Sequence, residues 1–129
     1  MIERDRLVND FCELVRIDSP SDEEEDVAQH LTQRLEGLGF KVERDAHGNL
    51  IANEPGDEPL MLSAHMDTVE PGRSIKPETK GDRIVSDGTT ILGGDCKAGV
   101  ASIMEALEAA KVAGSARRPV QVVFTRGEE

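Results

Sequence analysis

The chain has 129 residues, about the length of one domain, and its 37% hydrophobic share with 12 glycines is the composition of a globular protein, not of a disordered tail. Against 15 basic residues stand 26 acidic ones, a formal net charge of −11 that repels phosphate backbones and anionic bilayers, so neither nucleic acid nor membrane is expected as a partner. Three phenylalanines and no Trp or Tyr are too few aromatic side chains for a base-stacking platform or a membrane belt.

The start, Met1 to Arg6, lacks the apolar centre of a signal peptide, and no apolar run reaches the ~18 residues of a spanning helix, which together predict a cytoplasmic protein. Leu7, Val8, Phe11, Leu14 and Val15 recur at helical spacing and predict a first helix over residues 2–17. Pro20 ends it, because proline drives the preceding residue out of the helical region. Ser21-Asp22-Glu23-Glu24 has the pattern of a capping box and predicts a second helix from there, carried by Val27, Ala28, Leu31, Leu35 and Leu38 and closed near Gly39. The acidic run Asp22 to Asp26 reads as a solvated helix start.

From Phe40 the period changes to two, and turn residues around Gly48 predict a hairpin that returns through Leu50-Ile51-Ala52. Leu60-Met61-Leu62 suits a buried strand running to His65. Residues 70–82 read as loop and Arg83-Ile84-Val85 as a brief strand. Val100, Ile103, Met104, Leu107 and Ala110 predict a helix over 97–113 ended by Gly114, and Pro119 to Thr125 is the most strand-like segment of all. Helices interleaved with strands predict an α/β domain, a three-layer sandwich with a mixed, mostly parallel sheet whose parallel pairing crosses over through helix 97–113. The strand Val120 to Phe124 is the expected bare edge, an invitation to self-association.

Chemistry in such sheets gathers at the carboxyl ends of strands and the amino ends of the helices that follow, and three polar clusters fall there. His65 and Asp67 close one strand, two apart and so on one face; a metal-ligating imidazole needs an acceptor to orient it, and Asp67 is placed for that role. Asp95, in Gly93-Gly94-Asp95-Cys96-Lys97-Ala98-Gly99, reads either as a helix N-cap or as a ligand. Glu128 and Glu129 follow the last strand. Each cluster alone is unremarkable surface, but one imidazole and several carboxylates converging on one sheet edge make a nitrogen and oxygen donor set suited to zinc, cobalt or manganese. So many carboxylates gathered without a cation would be costly. Cys12 and Cys96 are far apart with no CxxC pair, so reduced thiols are expected; Cys12, His30 and His47 have no motif company.

The segments Ser63 to Gly72, Ser86 to Gly99 and Thr125 to Glu129 closely resemble, in order and spacing, the peptidase T-like branch of the two-zinc exopeptidase and aminoacylase family. The resemblance covers nearly the whole chain from the first helix onward. It implies the first half of a zinc-exopeptidase catalytic domain that binds two Zn2+, with Co2+ or Mn2+ as alternatives. Residue by residue it implies that His65 is the imidazole ligand of one zinc, Asp67 its orienting partner and Asp95 the carboxylate bridging both ions. Glu128 would be the general base and Glu129 a ligand of the second zinc. The substrate implied is a short peptide, or an N-acyl amino acid if the chain belongs to the deacylases of the same family; a fragment that binds metal weakly is the non-catalytic alternative. Two departures stand out. Cys96 occupies a position where relatives often have a second acid, as a tolerated replacement or as a thiol made reactive by the helix start and Lys97. Family members also continue past the double glutamate through a further carboxylate ligand, a lid domain and a late histidine, so residues 1–129 alone are expected to be inactive.

Overall fold

The computed structural model describes residues 1–129. Its elements are α1 (Arg4–Arg16), α2 (Glu25–Gly37), β1 (Lys41–Arg44), β2 (Leu50–Asn53), β3 (Leu60–His65), β4 (Glu78–Lys80), β5 (Arg83–Val85), α3 (Gly94–Ala113) and β6 (Val120–Thr125). The apolar stripe of α1 buries Phe11, Leu14 and Val15, and that of α2 buries Val27, Ala28, Leu31 and Leu35. The second helix begins at Glu25, not at Ser21. Asp22 enters the left-handed region at φ 73°, which turns the chain off the helical path, and Glu24 at the N-cap makes no side-chain capping bond. The capping-box pattern is therefore not used as a cap.

Four strands form the main sheet in the order β1-β2-β6-β3. β1 with β2 and β2 with β6 are antiparallel, while β3 and β6 are parallel and joined through α3. The α/β class, the mixed sheet and the crossover through the third helix are as expected. The balance of pairings is not, because the β1–β2 hairpin docks antiparallel on β6 and leaves β3–β6 as the one parallel pair. Residues 70–82 are not all loop either, since β4 pairs with β5 in a small antiparallel ribbon.

Leu50, Ala52, Val120, Val122 and Phe124 point to one face of the sheet, where they join the buried residues of all three helices in a single core. Arg34 of α2 reaches both Asp10 of α1 at 2.9 Å and Glu108 of α3 at 3.7 Å, so the helices form one layer. Within residues 1–129 there are thus two layers, helices and sheet, where three were expected. The opposite face carries Ile51, Ser63, Gln121 and Val123, partly or fully exposed, and Met61, which is 60% exposed. The expected bare edge is also corrected: Val120 to Phe124 is paired on both sides, and the outer strands are β1 and β3.

Phe124 lies at the centre of this core with no exposure, in register between Leu50 and Ala64. Phe124→Ala is expected to cost about 3–5 kcal/mol of stability, read as a lower midpoint in urea-induced unfolding.

Candidate functional site

Parallel pairing of β3 with β6 sets His65 beside Thr125, so both strands end at one edge of the sheet, and α3, which links them, starts there. Residues up to 64 positions apart in sequence, His65, Asp95, Glu128 and Glu129, are delivered to the same place.

The His65 ring is held from one side. Its Nδ1 lies 2.8 Å from the main-chain oxygen of Asp67 and 3.3 Å from Asp67 Oδ1, so an Nδ1–H donates to the carbonyl and Nε2 is the ring atom turned toward the carboxylates. Asp67 thus orients the ring chiefly through its backbone, with its carboxylate behind. The Nε2 atom faces Asp95 Oδ1 at 2.8 Å, Glu128 Oε2 at 3.7 Å and Glu129 Oε1 at 3.9 Å. Burial pulls the imidazole pKa down, yet the bond to Asp95 and the charges of Asp67 and Glu128 raise it overall. The Glu129 carboxyl is also pushed up, by burial and by its acidic neighbours Asp95 and Glu128.

The Asp67 carboxylate is fully buried and has another task. Oδ2 accepts the Ser21 hydroxyl at 2.6 Å and the Glu129 amide at 3.0 Å, and Oδ1 accepts the Glu128 amide at 3.0 Å. Burial alone would raise its pKa, but these three donors hold it below the ordinary carboxylate value. Gly127, at φ 69°, supplies the left-handed turn after which the two amides converge on one carboxylate.

Asp95 does not cap α3. Gly93 precedes the helix at φ 86° without any side-chain capping bond, Asp95 itself is extended at φ −94° and ψ 102°, and its exposed carboxylate lies against His65 Nε2. Two sets of donor atoms lie within 4.8 Å of one another, His65 with Asp95 and Cys96, and His65 with Glu128 and Glu129. An imidazole nitrogen among carboxylate oxygens is a donor set that fits zinc, cobalt or manganese, and a cation there would relieve the mutual repulsion that raises Glu129. Lys97 is turned away from this edge. The residue is 1% exposed, its ammonium donates to the Ile17 carbonyl at 2.6 Å, and burial brings its pKa down to about 8. Cys12, His30 and His47 join neither donor set.

Three supporting residues escaped the reading of the sequence. Ser19 reads as part of the helix break and Ser21 as the start of a capping box, yet the Ser19 hydroxyl donates to the Met66 carbonyl at 2.9 Å and Ser21 to Asp67. Arg126 faces Asp22 at 3.2 Å and Glu24 at 3.4 Å, tying the loop after β6 to the same turn. A pair of hydroxyl residues around Pro20 was the available signal, but its partners lie more than 40 positions away.

With this geometry in view, residues 61–129, more than half of the chain, match the model of peptidase family M20/M25/M40, and the chain belongs to that family. It is 35% identical over its whole length to an uncharacterized protein, YqjE, of Bacillus subtilis (strain 168), of which it covers 38%. The crystal structure of a tripeptidase from Staphylococcus aureus superposes on 99% of the chain with a TM-score of 0.95 and 38% identity, the chain covering 38% of that structure. The aminopeptidase PepT from Bacillus cereus gives a TM-score of 0.94 and 40% identity over 98% of the chain and 37% of its own. The chain therefore spans about two fifths of the length of these relatives. No helix is long and apolar enough to cross a membrane.

Asp67→Asn tests the buried carboxylate. An amide keeps the Oδ1 acceptor but turns an N–H toward the Glu129 amide, leaving a buried donor unsatisfied at a cost of about 1–3 kcal/mol near neutral pH. Because the folded pKa of Asp67 is depressed, its contribution is present above the unfolded value of about 3.9 and is lost as pH falls through the folded value. The variant should therefore lose less stability on acidification than the parent, measured by thermal unfolding across pH.

Proposed function

We propose that the chain is the N-terminal part of the catalytic domain of a zinc-dependent exopeptidase, peptidase T-like, that hydrolyses the amide bonds of di- and tripeptides. The observation that carries this is the convergence of Asp95, Glu128 and Glu129 on His65 Nε2 within 3.9 Å. The likeness to a tripeptidase and to PepT at TM-scores of 0.95 and 0.94 supports a peptide as the substrate.

In this reading His65, Asp95 and Glu129 would be the residues of this chain that hold two zinc ions. Bound zinc supplies the acidity of a water molecule and polarises the scissile carbonyl. Glu128, whose exposed carboxylate lies 3.7 Å from His65 Nε2, would serve as the general base and then return the proton to the leaving amine. Asp67 keeps the imidazole turned so that Nε2 stays available. Three ligand residues are fewer than two ions of three or four protein ligands each require, so the remaining ligands come from outside residues 1–129, and these residues alone turn over no substrate. Cys96 is a tolerated replacement beside the bridge. The free thiols of Cys12 and Cys96 support a cytoplasmic setting.

The roles separate by substitution in the full-length protein. Glu128→Gln keeps the shape of the side chain and removes its basicity, and is expected to reduce kcat by about 10²–10⁴-fold with zinc content unchanged. Glu129→Gln is expected to lower zinc content, since a neutral amide replaces a charged ligand. Zinc per chain measured beside catalytic rate decides it: metal lost in step with activity in Glu128→Gln would reverse the assignment of base and ligand.

Self-association belongs to β3, whose outer edge pairs with no strand and whose Leu60 and Met61 are 50% and 60% exposed. Residues 1–129 are expected to associate in light scattering at high concentration, and Met61→Lys to shift them toward monomer.

A further inference from the structure

The turn between α1 and α2 reaches the candidate site by three separate routes. The Ser19 carbonyl accepts the Thr68 amide at 2.9 Å while its hydroxyl donates to the Met66 carbonyl, so the residues on either side of Asp67 are both bonded to Ser19. The Ser21 hydroxyl meets Asp67 Oδ2 at 2.6 Å. Arg126, the residue before Gly127, is drawn to Asp22 and Glu24. None of these groups touches the donor atoms around His65 Nε2. All of them bear on the two loops that carry those atoms.

Among them Ser21 has the most direct leverage. Asp67 holds the main chain of Glu128 through Oδ1 and of Glu129 through Oδ2, and Oδ2 is also the atom that receives the Ser21 hydroxyl. Without that donor, a fully buried carboxylate keeps the two amides and the nearby His65 Nδ1, its Oδ2 is one donor short, and its orientation about the Cβ–Cγ bond is less firmly fixed. A hydrogen bond donated to a charged acceptor at this distance is among the stronger ones a side chain makes.

We propose that Ser21 is a positioning residue of the metal centre, its hydroxyl locking the Asp67 carboxylate on which the main chain of Glu128 and Glu129 is hung. The inference rests on the zinc-site reading above and adds to it a residue that contacts neither metal nor substrate. Outer partners of this kind usually govern metal affinity or activity by about 10- to 100-fold.

The test compares Ser21→Ala, Ser21→Thr and Ser21→Val in the full-length protein, with zinc affinity measured by competition against a chromophoric chelator. Thr and Val have nearly the same shape and differ in the hydroxyl, so their difference reads the hydrogen bond even where a branched side chain perturbs the turn. Ala and Val are expected to bind zinc about 10- to 100-fold more weakly and to lose kcat with little change in KM, while Thr stays within a few fold of the parent. The zinc-free unfolding midpoint should move far less than the zinc affinity. Parental affinity in Ala, or equal losses in Thr and Val, would overturn the proposal. His65→Ala runs alongside: if it abolishes zinc binding while Ser21→Ala does not alter it, only this inference fails, whereas parental zinc binding in His65→Ala would overturn the metal site itself.

Discussion

One fully buried carboxylate organises the functional end of this chain. Taking a carboxylate out of water costs several kcal/mol unless donors replace the lost solvation. For Asp67 the donors are the Ser21 hydroxyl and the amides of Glu128 and Glu129. Meeting that requirement brings together the turn after α1, the end of β3 and the loop after β6, which share no local contact in sequence. The geometry around His65 is a consequence: with the two glutamate amides tied to one carboxylate, both side chains reach within 3.9 Å of the same imidazole nitrogen.

The third contributor, Asp95, arrives by backbone irregularity. Gly93 takes φ 86°, a region closed to most side chains, and a Cβ there would meet Val15, Ile75 and Thr68 at 3.4–3.6 Å. Asp95 and Cys96 leave helical geometry before α3 becomes regular, which carries the Asp95 carboxylate outward to His65. Farther along, Gly99 leaves room for the Cys96 side chain, because a Cβ at that position would lie 2.7 Å from Cys96 Sγ. Lys97, bonded to the Ile17 carbonyl, pins the start of the helix to the end of α1.

These devices produce an edge where like charges face one another. Glu129 is pushed toward its neutral form by burial and by Asp95 and Glu128, and Glu24, with 1% exposure, is raised for the same first reason and has no hydrogen-bond partner for either carboxylate oxygen. Such crowding works against folding stability, and its natural place is a site that meets a cation or a polarised substrate. The hydrophobic core, in which the buried strand residues Leu50, Ala52, Val120, Val122 and Phe124 pack with those of the helices, contains none of the donor groups.

Periodicity in the sequence was sufficient for every helix and for β1, β2, β3, β5 and β6, because apolar spacing is a local property that burial enforces directly. The convergence of the candidate donor residues His65, Asp95, Glu128 and Glu129 has a related reason: His65 ends a strand, Asp95 lies at a helix start and the two glutamates follow a strand, and crossover topology sends those ends to one edge. Sheet order was not legible. Whether β6 lies inside the sheet or at its edge depends on which strands pair with it, and the alternation of Val120, Val122 and Phe124 is the same in either case. Nor could Ser21 be read correctly, since a hydroxyl before acidic residues serves equally as a helix cap or as a donor to a distant carboxylate. Only the folded chain, by burying Asp67 beside it, decided between the two, because a buried charge must be met by a donor and an exposed helix start can be satisfied by water.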